Sequence, residues 1–196
     1  MKERNESLDC LKGIAILLVM FGHVQVHNHM TDPYLYDVIK SIQMPLFFLV
    51  SGYLAGKGTK IQSVEQFCAR MKKRAVAYLL PFFSWLVVQH LTYVPRALKT
   101  VLFQLDYGLW FLMTLFLFTL LAYAAQLIQN LWGRGKEIVF WIIWLLGCGV
   151  ILAAYLAGMT FLSPSILVIY LPYYTVAYFV GMHEELVEKY VSVRLQ

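Results

Sequence analysis

Residues 4–23 read RNESLDCLKGIAILLVMFGH, and the reading of this stretch decides the fold. An apolar run over 14–22 is bracketed by Asp9 and Lys12 at one end and by His23 at the other. A run of this kind predicts a membrane-crossing helix. On a helix, Lys12 and His23 come round to one face after about three turns, ~16 Å apart along the axis. Asp9 falls within ~40° of the same face. Three polar groups in register on an otherwise apolar helix need partners inside a bundle or a cavity. The competing reading is end-of-span chemistry. Asp9 and Lys12 would then be terminal charges, with Lys12 snorkelling to the interface, and His23 would bond a neighbouring helix.

The remainder of the chain repeats the pattern. Of its 196 residues 60% are hydrophobic and 14% charged, and the mean hydropathy is +0.65. That composition excludes a soluble globular chain. Runs long enough to span a bilayer occur at 8–26, 36–56, 75–93, 107–131, 138–161 and 166–183. They predict an all-α, polytopic transmembrane bundle of about six spans, one membrane domain over 1–196. Spans this dense leave no room for a separate soluble domain. The net charge of +5 therefore speaks of topology and gives no reason to expect a nucleic acid.

Lys and Arg between the spans set that topology. Lys2 and Arg4 precede the first span, and the second loop carries Lys57, Lys60, Arg70, Lys72, Lys73 and Arg74. Arg134 and Lys136 fall in the fourth loop, with Lys189 and Arg194 in the tail. Lys12 lies at a boundary, and the opposite side collects only Lys40, Arg96 and Lys99. Both termini are expected to be cytosolic, in a multi-pass protein of the plasma membrane. No cleavable signal is expected, since Lys12 interrupts the apolar region and no small-residue cleavage site follows. Cys10, Cys68 and Cys148 share no oxidising face and are expected to be free thiols.

Several local features carry possible chemistry. His23, His27, His29 and Asp32 could crowd around a metal, but the short loop ends in the turn signal Asp32-Pro33, and no metal is expected. Residues 96–105 place Leu98, Val101, Leu102 and Leu105 at helical spacing, which predicts an interfacial amphipathic helix. His90, alone near the end of the third span, reads as a packing residue. Pro45 should bend the second span, and Ser51-Gly52 permits another helix to approach closely.

Leu8-Asp9-Cys10-Leu11-Lys12-Gly13, the apolar run and His23 resemble the opening motif of the acyltransferase 3 family of integral membrane O-acyltransferases. Lys12 stands where that family usually has Arg, a form associated with its sugar O-acetylase branch; the charge is kept but the bidentate fork is lost. The second span, Gln43-Met44-Pro45-Leu46-Phe47-Phe48-Leu49-Val50-Ser51-Gly52-Tyr53-Leu54, is similar to the family's second block. Trp110-Phe111-Leu112 resembles a third, although a Trp opening a span is first of all an interfacial anchor. The basic run before Pro81 resembles the family's Lys/Arg-rich approach to its third helix, with Ala77 where a further basic residue is frequent.

The resemblance implies transfer of an acetyl or similar acyl group from acyl-CoA, acetyl-CoA above all, to a hydroxyl of a cell-surface or lipid-linked carbohydrate, with no metal. It implies His23 as general base, Lys12 as the group that orients the donor, and Asp9 as partner to Lys12. Ser51, Tyr53 and Trp110 are implied on the substrate side. Lys72, Lys73 and Arg74 face the compartment that holds coenzyme A, where they could bind its phosphates, and equally they serve as the orientation signal. Family members carry about ten spans of ~20 residues, so the resemblance implies a domain shortened at its C-terminal end. A second chain supplying the missing helices is one expectation. A non-enzymatic membrane protein, whether a permease component or an inactive relative, is the alternative.

Overall fold

A computed structural model describes residues 6–27, 33–89, 93–105, 109–132, 135–185 and 187. Among the described residues there is no strand. The described residues form seven helices in order: α1 (Glu6–His27), α2 (Pro33–Gly56), α3 (Val64–Gln89), α4 (Val94–Phe103), α5 (Trp110–Leu131), α6 (Glu137–Leu156) and α7 (Pro164–Met182). The all-α membrane architecture expected from the sequence is present. Five helices, α1, α2, α5, α6 and α7, are long and apolar enough to cross a bilayer.

The expected third span is the second half of α3. That helix starts well before residue 75, so the basic run 70–74 lies on the same continuous helix. Its start is built locally. The Gln66 N–H donates to Ser63 Oγ (3.3 Å) and Gln66 Oε1 accepts from the Gln62 N–H (3.1 Å), a near relative of the capping box. From Glu65 to Arg74 no Gly or Pro interrupts a row of good helix formers. The helix then runs on through Pro81, as α2 does through Pro45 and α7 through Pro172.

The chain divides into two compact units, one of Met1–Gly58 with Tyr173–Gln196 and one of Thr59–Pro172. In the first, α1 packs along α2, with Gly22 against Ile39 and Gln43. The end of α7 meets α2 almost backbone to backbone. A Cβ added to Gly52 would overlap the Tyr174 carbonyl, one on Gly56 the Tyr178 carbonyl, and one on Gly181 the Tyr53 carbonyl. This is the close approach that Ser51-Gly52 predicts. Tyr174 and Tyr178 stack with ring centroids 6.3 Å apart, both fully buried.

In the second unit α5 is the core element, packed between α3 and α6. Its buried face carries Thr114, Phe118, Ala122, Ala125, Gln126 and Gln129. By contrast α6 buries only Phe140 and Trp144 and leaves Ile142, Leu145, Leu146 and Val150 exposed, a lipid-facing surface for a spanning helix. The amphipathic α4 is where it was expected. Its Val101, with Leu105 just beyond, joins Phe82, Leu86 and Met113 in one apolar cluster. The turn between α6 and α7 is tied to this end: the Leu162 N–H donates to the Leu102 carbonyl (2.7 Å) and the Leu105 N–H to Ser163 Oγ (2.8 Å).

Candidate active site

α1 is unbroken from Glu6 to His27, so the shared register of Lys12 and His23 holds. Lys12 Nζ donates to Asp9 Oδ1 at 3.1 Å, one turn apart. With side chains 40% and 33% exposed, the pair contributes under about 1 kcal/mol to stability. Its consequence is positional, since it fixes where the Lys12 ammonium points. The buried side of α1, Ala15, Gly22 and Gln25, lies about a quarter turn away from the Lys12–His23 row. His23 is exposed, whereas Lys12 and Asp9 are partly buried.

Gln25 and Gln43 are the residues the sequence reading missed here. Each has a buried side-chain Oε1 that accepts no hydrogen bond among the described residues. Gln43 Oε1 lies 3.3 Å from where a Gly22 Cβ would stand, beside the residue that precedes His23. A buried acceptor without a donor costs about 1–3 kcal/mol. The available signal was a Gln within an apolar span.

Of the substrate-side candidates in the first unit, Ser51 is half-buried beside the Gly52–Tyr174 contact. The Tyr53 hydroxyl is already engaged, donating to Glu184 Oε1 at 2.5 Å. Lys57 Nζ donates to the same oxygen, which raises the Lys57 pKa above its ordinary value. Glu184 thus closes α2 onto the end of α7.

The second unit holds the basic run 70–74. Ile61, fully buried, anchors the loop before α3: its N–H donates to Gln126 Oε1 (3.1 Å) and its carbonyl accepts from Asn130 Nδ2. Arg70 donates to the Thr59 carbonyl. Arg74 is half-buried, its Nε 3.4 Å from the Tyr123 hydroxyl and its Nη1 3.2 Å from that of Tyr78. Lys72 and Lys73 are exposed. The run therefore splits into two cations free to meet a ligand and two arginines that brace the helix. Trp110 opens α5 with its ring 5.3 Å from that of Tyr170 and its carbonyl accepting from Thr114 Oγ1.

The three cysteines are free thiols. His29, Asp32 and His90 lie outside the described residues, as does the side chain of His27.

Comparison with known proteins decides the family. Residues 5–195 match the acyltransferase 3 family, described as an acyltransferase domain. The chain belongs to the acyltransferase 3 family. All three sequence blocks, with Asp9, Lys12, His23, Ser51, Tyr53 and Trp110, fall within that match. Among curated proteins, nodulation protein NolL of Sinorhizobium fredii (strain NBRC 101917 / NGR234) is 37% identical over 89 residues. The alignment takes in 42% of this chain and 23% of NolL, so this member of the acyltransferase 3 family spans about a quarter of its relative's length. No solved structure matches the chain.

Proposed function

We propose that this chain forms part of a plasma-membrane O-acyltransferase that moves an acetyl or similar acyl group from acyl-CoA to a hydroxyl of a cell-surface or lipid-linked carbohydrate. The observation that carries the reading is the row on α1: Lys12, held by Asp9 at 3.1 Å, and His23 on one face of an unbroken helix. In this reading His23 takes the proton from the acceptor hydroxyl. The oxygen attacks the thioester carbonyl, the new C–O bond forms as the C–S bond breaks, and His23 returns the proton to the departing thiolate. Lys12 lies ~16 Å along the helix from His23, too far to touch the same reacting carbon. Its role is to hold charge on the donor side of the first unit. Within the second unit, the exposed Lys72 and Lys73 are proposed separately as phosphate contacts.

The exposure of His23 supports a further requirement. An imidazole used as a base in a membrane needs a walled site, and additional helices, on this polypeptide or a second chain, are proposed to cover His23. The test is transfer of labelled acetyl groups from acetyl-CoA to membrane glycan, with and without the gene. Label incorporation that depends on the gene supports the reading. Equal incorporation in both favours a non-enzymatic membrane protein.

A further inference from the structure

Within the second unit, an open groove of about 380 Å³ lies between α4 and the turn from α6 to α7. It is lined by Arg96, Lys99, Thr100, Phe103, Gln104 and Thr160. Two cations one helical turn apart stand on one wall, and among the described residues no carboxylate lines it. Among the described residues neither Arg96 nor Lys99 forms an ion pair. The Thr100 hydroxyl donates to the Arg96 carbonyl at 3.1 Å, so the Thr160 hydroxyl is the donor on the opposite wall.

The second wall is held rigidly. Leu162 and Ser163, neither a glycine, adopt left-handed backbone with φ of 56° and 42°. Both are fixed by bonds to the α4 end, Leu162 N–H to the Leu102 carbonyl and Leu105 N–H to Ser163 Oγ. Phe161 adds an edge-on contact with Phe103, centroids 5.7 Å apart. Strained backbone of this kind persists only where its surroundings hold it, and it concentrates at binding sites. Here it sets Thr160 across from the two cations.

The geometry points to a binding site for a phosphate group carried on a larger molecule. Two cations and a hydroxyl donor suit an anion with several terminal oxygens. The groove is open, with all six lining residues exposed, and it is wider than a bare phosphate needs. Phe103 at the rim suits a carbon-rich remainder. A phospholipid headgroup and a soluble pyrophosphate share this chemistry, and α4, an amphipathic helix, places the groove where either could enter.

The purified full chain in neutral maltoside detergent is titrated with inorganic pyrophosphate in one arm. In the other it is reconstituted in phosphatidylcholine nanodiscs with added phosphatidylglycerol, and retained lipid is read by native mass spectrometry. Binding in at least one arm is expected, and the responding arm names the source. Arg96→Gln with Lys99→Gln should weaken it about tenfold or more, and Thr160→Val about three- to tenfold. Lys136→Gln, an exposed cation off the groove, should leave it unchanged. Absence of binding in both arms overturns the site. So does a double variant that binds like the parent, a Thr160→Val without effect, or a Lys136→Gln as weak as the double variant, each of which reduces the attraction to surface charge.

Discussion

Arg74 directs its guanidinium at the hydroxyl of Tyr123, with Nε 3.4 Å from the phenol oxygen. A cation that the sequence groups with Lys72 and Lys73 is thus committed to the interior of the second unit, where Tyr78 one turn along receives it as well. The two exposed lysines and the half-buried arginine should therefore separate on mutation.

Lys72→Gln with Lys73→Gln should raise the concentration of acetyl-CoA needed for half-maximal transfer about tenfold, with thermal stability unchanged. Arg74→Gln should cost about 1–3 kcal/mol of stability, because two phenol oxygens lose a charged donor. Kinetics and melting curves on the same preparations check this. Stability loss in the lysine pair, or none in Arg74→Gln, contradicts the division.

The α2–α7 contact predicts an ordering among glycines. Gly56→Ala places a methyl group on the Tyr178 carbonyl and should destabilise the first unit by about 1–3 kcal/mol. Gly13→Ala meets nothing within 4 Å and, by removing backbone freedom from a helix, should be neutral or mildly stabilising. Limited proteolysis at rising temperature distinguishes them. Equal resistance in both variants would remove the close approach as a source of stability.

Much of this was legible in the sequence, and the reasons can be traced to particular residues. Apolar runs place five helices to within five residues of their ends, since length and hydropathy alone decide a span. The Lys12–His23 register followed from helical periodicity. A short amphipathic helix leading into 70–74 is also legible in the sequence, but its continuity with the third span is not, because hydropathy marks only where a helix is greasy. Glu184, Gln126 and Asn130 were silent for another reason. Their partners, Tyr53 and Ile61, lie more than 60 residues away in the chain, and a lone polar residue does not name a distant partner.

Lys57 gives a pH prediction. The hydrogen bond to Glu184 raises its pKa above 10.5. A lysine with a raised folded-state pKa contributes stability that is complete below the unfolded pKa and lost as pH rises through the folded one. The tie from Lys57 to Glu184 should therefore persist across neutral and mildly alkaline solution and weaken only above about pH 10.5. Lys57→Gln should melt lower than the parent at pH 7, and the difference should shrink above that pH. A difference that grows with pH would contradict the pairing.

The Lys and Arg distribution predicts that 57–74 faces the cytosol. A reporter fused at residue 65 should give the cytosolic signal. A signal from the opposite side would invert the orientation and detach Lys72 and Lys73 from any cytosolic donor.

The account turns on His23. In membranes that hold the complete functional assembly, His23→Ala should lower acetyl transfer to glycan by about 10²–10⁴-fold, with the chain inserted at parental levels. Lys12→Arg, which keeps the charge beside Asp9, should retain activity, and Lys12→Ala should not. The decisive measurement is the rate of labelled acetyl transfer by His23→Ala against the parent at equal membrane abundance. A loss of at least a hundredfold is the predicted result, and near-parental transfer would contradict the assignment of His23 as the base.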